Sequence, residues 1–170
     1  MRKIFLLMFL AVISIFTEAK TISLFSPNKK IEVKIKTDNN LSYEVYYDGN
    51  KVINTSKISL TINDKILGKN PRLQKKKVKH ISEVLHPVVK QKSAEIENDY
   101  NLLTLSFKGY DVQFVAYNDA IAWRFITHMP GSAIVNSELA EFNLGYNAKV
   151  WFPEEESMMT HQERNYIETE

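Results

Sequence analysis

The chain has 170 residues, no cysteine, and 22 Lys and Arg against 20 Asp and Glu, for a net charge of +2. That length supplies one domain, and the missing cysteines exclude disulfide staples and thiolate metal sites. The near-neutral balance gives no global field to attract nucleic acid or anionic lipid, so stability has to come from packing, a bound ion or a neighbouring domain.

Residues 1–19 read as an export signal. Arg2 and Lys3 form a basic start, Ile4 to Phe16 is an almost unbroken apolar run, and Thr17-Glu18-Ala19 offers small residues for cleavage. The run is shorter than the roughly 20 apolar residues of a membrane span. No cysteine is present to take a lipid, so no stable membrane anchor is expected. Export without disulfides suits a periplasmic or extracellular bacterial protein. The segment from Lys20 onward keeps a net charge of about +1.

From Thr21 the pattern is β throughout. Thr21-Ile-Ser-Leu-Phe25 alternates, and Ser26-Pro-Asn-Lys-Lys30 is a turn. Ile31-Glu-Val-Lys-Ile-Lys36 alternates strictly, with Ile31, Val33 and Ile35 on one face. After Asp38-Asn-Asn40, the strand Leu41–Tyr47 runs into the hairpin signal Asp48-Gly49 and then Lys51-Val-Ile53. Short strands are expected at Ile58–Ile62 and Ile66–Leu67. Residues 68–99 are less regular, with Val78–Leu85 readable as strand or loop. Alternation returns with Leu103, Leu105 and Phe107, a turn at Lys108-Gly109, then Val112, Phe114 and Ala116. Asn118-Asp119 turns the chain into Ile121–Ile126. Ala133–Glu141 forms a further strand, and Lys149-Val-Trp151 follows a polar loop at 143–147. No sustained helical period occurs, which predicts an all-β antiparallel sandwich.

The chemistry-bearing patterns of an autonomous enzyme are missing. There is no Gly-x-Ser-x-Gly elbow, phosphate-cradling glycine loop or EF-hand loop. His161 and Glu163 lack the cysteines of a zinc deaminase. Glu154-Glu-Glu156 with Glu163 could supply a glycosidase-like carboxylate pair, but such a pair needs a defined separation and different surroundings; consecutive glutamates in a polar loop read as solvated. His80, His86 and His128 read as surface or hydrogen-bonded residues. The cluster Arg72, Lys75, Lys76, Lys77, Lys79, His80 lacks interleaved aromatics for stacking bases. It reads as a solvated loop or an edge strand protected by lysines, with no nucleic-acid partner. Asn54-Thr-Ser56 matches a glycosylation sequon, a pattern of low specificity. No catalytic or cofactor-binding residue is assigned within the chain.

The order of signals resembles the N-terminal domain of glycoside hydrolase family 97, exported bacterial α-glucosidases and α-galactosidases. The residues that carry the resemblance are Leu24-Phe-Ser-Pro-Asn-Lys-Lys-Ile31, Leu41-Ser-Tyr-Glu-Val-Tyr-Tyr-Asp-Gly49 and Val115-Ala-Tyr-Asn-Asp-Ala-Ile-Ala-Trp-Arg-Phe125. Glu138 to Phe142, Trp151-Phe-Pro153 and Glu163-Arg-Asn-Tyr166 follow in sequence. One departure is Ala120-Ile121, where the family commonly has glycine.

The resemblance implies that residues 20–170 form a β-super-sandwich placed before a catalytic (β/α)8 barrel that holds the catalytic groups. A barrel alone takes about 250 residues, so this segment is expected to be inactive by itself, with a sandwich incomplete at Glu170. It would serve as a scaffold and one wall of the pocket, meeting an oligosaccharide substrate only together with the barrel. The resemblance also implies one glutamate donated to a Ca2+ ion, here Glu163. Calcium takes six to eight oxygens, so a single ligand would bind it weakly or not at all. A rival reading is a freestanding exported sandwich that binds carbohydrate or an envelope partner. Its available aromatics are Tyr43, Tyr46, Tyr47, Tyr110, Trp123 and Trp151, most of which alternation assigns to the core.

Overall fold

The structure, a computed structural model, describes residues 21–89, 92–154 and 165–169. Twelve strands are present among them: β1 Thr21–Phe25, β2 Ile31–Thr37, β3 Leu41–Tyr47, β4 Asn50–Ile62, β5 Lys65–Leu67, β6 Lys75–Leu85, β7 Ile96–Phe107, β8 Tyr110–Ala116, β9 Ile121–Thr127, β10 Val135–Ala140, β11 Val150–Phe152 and β12 Ile167–Thr169. The described residues contain no helix, and every strand pair is antiparallel.

The strands form two facing sheets. The first runs β1-β2-β3-β4-β10 with β5 also on β4, the second runs β6-β7-β8-β9, and β11-β12 is a separate ladder. β1 lies against β7 and β8, and β2 against β8. The core is made by the alternating residues that the sequence marks. Ile31, Val33 and Ile35 of β2 and Leu41, Tyr43 and Val45 of β3 face Leu103 and Leu105 of β7 and Val112 and Phe114 of β8. Tyr43 and Phe114 meet across the sandwich at a ring separation of 6.1 Å. Such pairs add to the burial of two large side chains.

Turn chemistry matches the sequence closely. Asp48 (φ 47°) and Gly49 (φ 80°) both adopt the left-handed conformation of a two-residue hairpin between Tyr47 and Asn50. Asn63 and Asp64 do the same between β4 and β5, at φ 46° and 63°. Asn and Asp tolerate this region better than other residues with side chains. Gly68 is required: at φ 91°, a Cβ there would come within 2.8 Å of the Ile58 carbonyl oxygen. Its N–H donates to the buried Tyr110 hydroxyl at 3.1 Å, and its carbonyl accepts from Leu41 N–H at 2.7 Å. One glycine thus stitches the first sheet to the second. Asn28 N–H to Asn118 Oδ1 (2.9 Å) and Asn101 Nδ2 to the Phe25 carbonyl (2.8 Å) join the sheets elsewhere.

Two elements differ from expectation, and a third settles the strand-or-loop reading of Val78–Leu85. The two short strands at 51–53 and 58–62 are one strand, β4, because the polar stretch Asn54–Lys57 stays on the β3 ladder through two register shifts. The irregular region contains the long strand β6, paired with β7 along its whole length, so that β7 begins at Ile96. β6 is a sheet edge, and its lysine-rich sequence reflects that exposed place. β12 was not anticipated; three exposed residues carry no periodic signal.

Candidate functional site

Polar chemistry gathers first on the outer face of the first sheet. Register sets Glu44 beside Lys34, and Glu32 beside Tyr46. Glu44 is 5 % exposed, although it points away from the core. Its Oε1 accepts from Lys36 Nζ (2.8 Å) and Thr55 Oγ1 (2.6 Å), its Oε2 accepts from the Tyr46 hydroxyl (3.0 Å), and Lys51 Nζ lies 3.3 Å from Oε1. Burial pushes this carboxyl up, but the bonds from Lys36, Thr55, Tyr46 and Lys51 together outweigh it and lower its pKa to about 2. Lys34 and Lys51 also approach the Tyr46 ring, at 4.3 and 5.4 Å from its centroid. Held in its charged form by these donors, Glu44 is a poor proton donor or base near neutral pH, and the cluster braces β2, β3 and β4.

The second gathering lies on the outer face of the four-stranded sheet. Alternation brings Tyr100, Leu102 and Thr104 of β7, Gln113 and Val115 of β8, and Ala122 and Arg124 of β9 to one surface. A cavity of about 250 Å³ opens there, bordered also by Tyr117 and Trp123. Tyr100 and Tyr117 form one wall, their rings 4.9 Å apart. Arg124 Nε donates to Gln113 Oε1 at 2.9 Å, and Gln113 Nε2 donates to Thr104 Oγ1 at 3.2 Å. A neighbouring cavity of about 260 Å³ shares Leu102 and Gln113 and is lined by Lys75, Lys77 and Lys79 of β6. Sequence reading passed over this face, since its residues are the polar half of an ordinary alternation. The register of β7 on β8 and β9 is what brings them together.

Glu163 lies outside the described residues, as do residues 1–20, Glu155, Glu156 and His161. The described strands on either side of Glu163 pair with each other. Val150, Trp151 and Phe152 pair with Thr169, Glu168 and Ile167, and Lys149 Nζ meets Glu168 Oε1 at 2.6 Å. No group of three or more His, Asp or Glu side chains that could hold a metal ion occurs among the described residues. His80 bonds Asn101 Oδ1 (2.9 Å) and sits 3.3 Å from Asp99, while His128 bonds Asp111 at 3.0 Å. Both are surface histidines with hydrogen-bond partners. Of the aromatics, Tyr43 and Tyr110 are buried, Tyr46 and Trp123 partly so, and Tyr47 and Trp151 are exposed.

Comparison with known proteins places this architecture. The family Glycosyl-hydrolase 97 N-terminal matches residues 24–170. The chain is 30% identical over 145 residues to a retaining alpha-galactosidase of Bacteroides thetaiotaomicron, covering 84% of this chain and 22% of that protein. A Glycoside Hydrolase Family 97 enzyme of Pseudoalteromonas sp. strain K8, solved with acarbose, superposes with a TM-score of 0.69 at 20% identity. That match covers 78% of this chain and 22% of the enzyme. A beta-arabinopyranosidase gives a TM-score of 0.72 at 20% identity, over 86% of this chain and 26% of that one. The solved structures share the fold, and the chain spans about a fifth of the length of the curated relative it matches. By its match along nearly all of the described sandwich, this chain belongs to the glycoside hydrolase family 97 N-terminal domain family.

Proposed function

We propose that the chain is the N-terminal domain of an exported, calcium-dependent glycoside hydrolase that cleaves α-glucosidic or α-galactosidic bonds. In this reading it is the scaffold against which a catalytic barrel packs and one wall of the substrate pocket. The relative named as a retaining alpha-galactosidase supports the galactoside side of the reading, and the acarbose-bound family enzyme supports recognition of oligosaccharides.

The observation that carries the scaffold role is the contrast between the two parts of the chain. Through β8 the apolar alternation closes into a core. Past residue 133, Ile134, Val135, Phe142, Leu144, Tyr146, Val150, Trp151, Tyr166 and Ile167 are exposed. A neighbouring domain would cover such exposed apolar side chains, none of which has a place in the sandwich core. A barrel domain is the partner that the family membership supports. Glu163 then offers one oxygen ligand to a calcium ion whose remaining ligands come from the barrel. The apolar run at 4–16 behind Arg2 and Lys3 supports export.

Two assays test the reading. These 170 residues should release no nitrophenol from aryl α-galactoside or α-glucoside, with or without added calcium. Turnover by the isolated chain would sink the scaffold role. Immunoblotting of cell extract with an antibody against residues 20–170 should reveal a polypeptide larger by at least the roughly 250 residues of a barrel. A band at the size of this chain would favour the freestanding module.

A further inference from the structure

The paired cavities on the outer face of the four-stranded sheet combine three properties that the scaffold role does not require. First, the surface is concave on both sides of the Leu102–Gln113 pair, and each hollow is bounded by side chains from several strands. Second, one hollow has an aromatic wall (Tyr100 and Tyr117) beside an apolar floor (Leu102, Val115 and Ala122). Third, its charge is of one sign. Lys75, Lys77, Lys79 and Arg124 line the two hollows, and no carboxylate does. Asp111, further along β8, is taken up by His128. Lys75, Lys77 and Lys79 form no ion pair among the described residues, and Arg124 uses only its Nε, on Gln113.

We propose that this face binds an acidic oligosaccharide, with one uronate unit seated between the Tyr100–Tyr117 wall and Arg124 and further acidic units along Lys79, Lys77 and Lys75. The hollow of about 250 Å³ is below the range that takes drug-sized molecules, which limits it to one sugar-sized unit. An apolar floor and a tyrosine wall suit the C–H face of a pyranose, and the fixed fork of a guanidinium suits a carboxylate. Gln113 locks Arg124 in place through Nε, leaving its terminal nitrogens for the ligand. The lysines lie at alternate positions of a strand, so their amines project to the same side and supply charge along the chain of sugars. Its test does not depend on the parent reaction.

The test is a calorimetric titration of the full chain with oligogalacturonate, with neutral galacto-oligosaccharide and with an oligodeoxythymidylate as comparison ligands. The expected result is saturable binding of oligogalacturonate. Arg124→Gln should weaken it about tenfold or more, the usual consequence of losing a charged hydrogen-bond pair. Lys77→Gln with Lys79→Gln should weaken binding of the oligomer but leave the galacturonate monomer unchanged. Arg124 and both lysines are exposed, so these variants should fold, which unaltered near-ultraviolet circular dichroism would verify. Absence of saturable binding, equal affinity for the neutral glycan, or indifference to Arg124→Gln would overturn the proposal. Equal or tighter binding of the oligodeoxythymidylate would also overturn it, revealing a general polyanion surface.

Discussion

Glu44 shows how a single side chain can face outward and still be structural. Four donors hold its carboxylate, and with the pKa lowered to about 2 the charged form belongs to the folded state. The stabilisation is complete above the ordinary carboxylate value of about 4.5 and is lost as the pH falls from there through about 2. Lys36 and Lys51 are about a third exposed, so solvent screening brings the effect to about 2 kcal/mol. Urea midpoints measured from pH 6 to pH 2 should fall across this window. In Glu44→Gln the fall should be smaller, and the midpoint already lower at pH 6. An unchanged pH dependence in the variant would place the acid sensitivity elsewhere.

At the scale of elements, the edge strand β6 combines exposed apolar residues with protecting charge. Val78, Val84 and Leu85 are 58, 50 and 42 % exposed, and the strand pairs on one side only. Lysines at 75, 76, 77 and 79 are what keep that edge from templating another chain. Lys76→Val combined with Lys77→Ile should therefore give larger, concentration-dependent species than the unaltered chain in size-exclusion light scattering, while Lys76→Glu should elute as the unaltered chain does. Much of the strand plan was legible in the sequence. Alternation located β2, the second half of β7 and β8, and Asp48-Gly49 located the hairpin after β3, because both signals are local. β6 was obscured because an edge strand at this position needs no buried side chain, so the polar-apolar rhythm has nothing to enforce it. The Arg124–Gln113–Thr104 chain was invisible for another reason: each residue occupies an unremarkable polar slot, and only cross-strand register makes them neighbours. Glu44 could have been found sooner, since Lys34, Lys36, Glu44 and Tyr46 all fall on the polar side of β2 and β3 once their hairpin is paired.

At the scale of the whole molecule, the two sheets share one apolar core, and Phe114 sits at its centre against Tyr43. Phe114→Ala should cost about 3–5 kcal/mol, the usual consequence of emptying a fully buried aromatic site. Both sheets should lose stability together, so that tryptophan fluorescence and far-ultraviolet circular dichroism report one shifted transition. Separate transitions would mean that the sheets are independent units. The first sheet carries a further consequence in time. Its strand β4 receives β3 and β5 from close by, whereas β10 returns to it from about seventy residues downstream, sealed by Ile134 N–H on Asn63 Oδ1 and Asp64 N–H on Asn136 Oδ1. Wherever the chain emerges N-terminus first, the meander β6-β7-β8-β9 is therefore out entirely before the Ile58–Ile62 stretch can meet its last neighbour. Closing so wide an interval is entropically slow. The emerging chain thus carries an unpaired strand border for a time, a window in which a chaperone or a stray strand can compete for it.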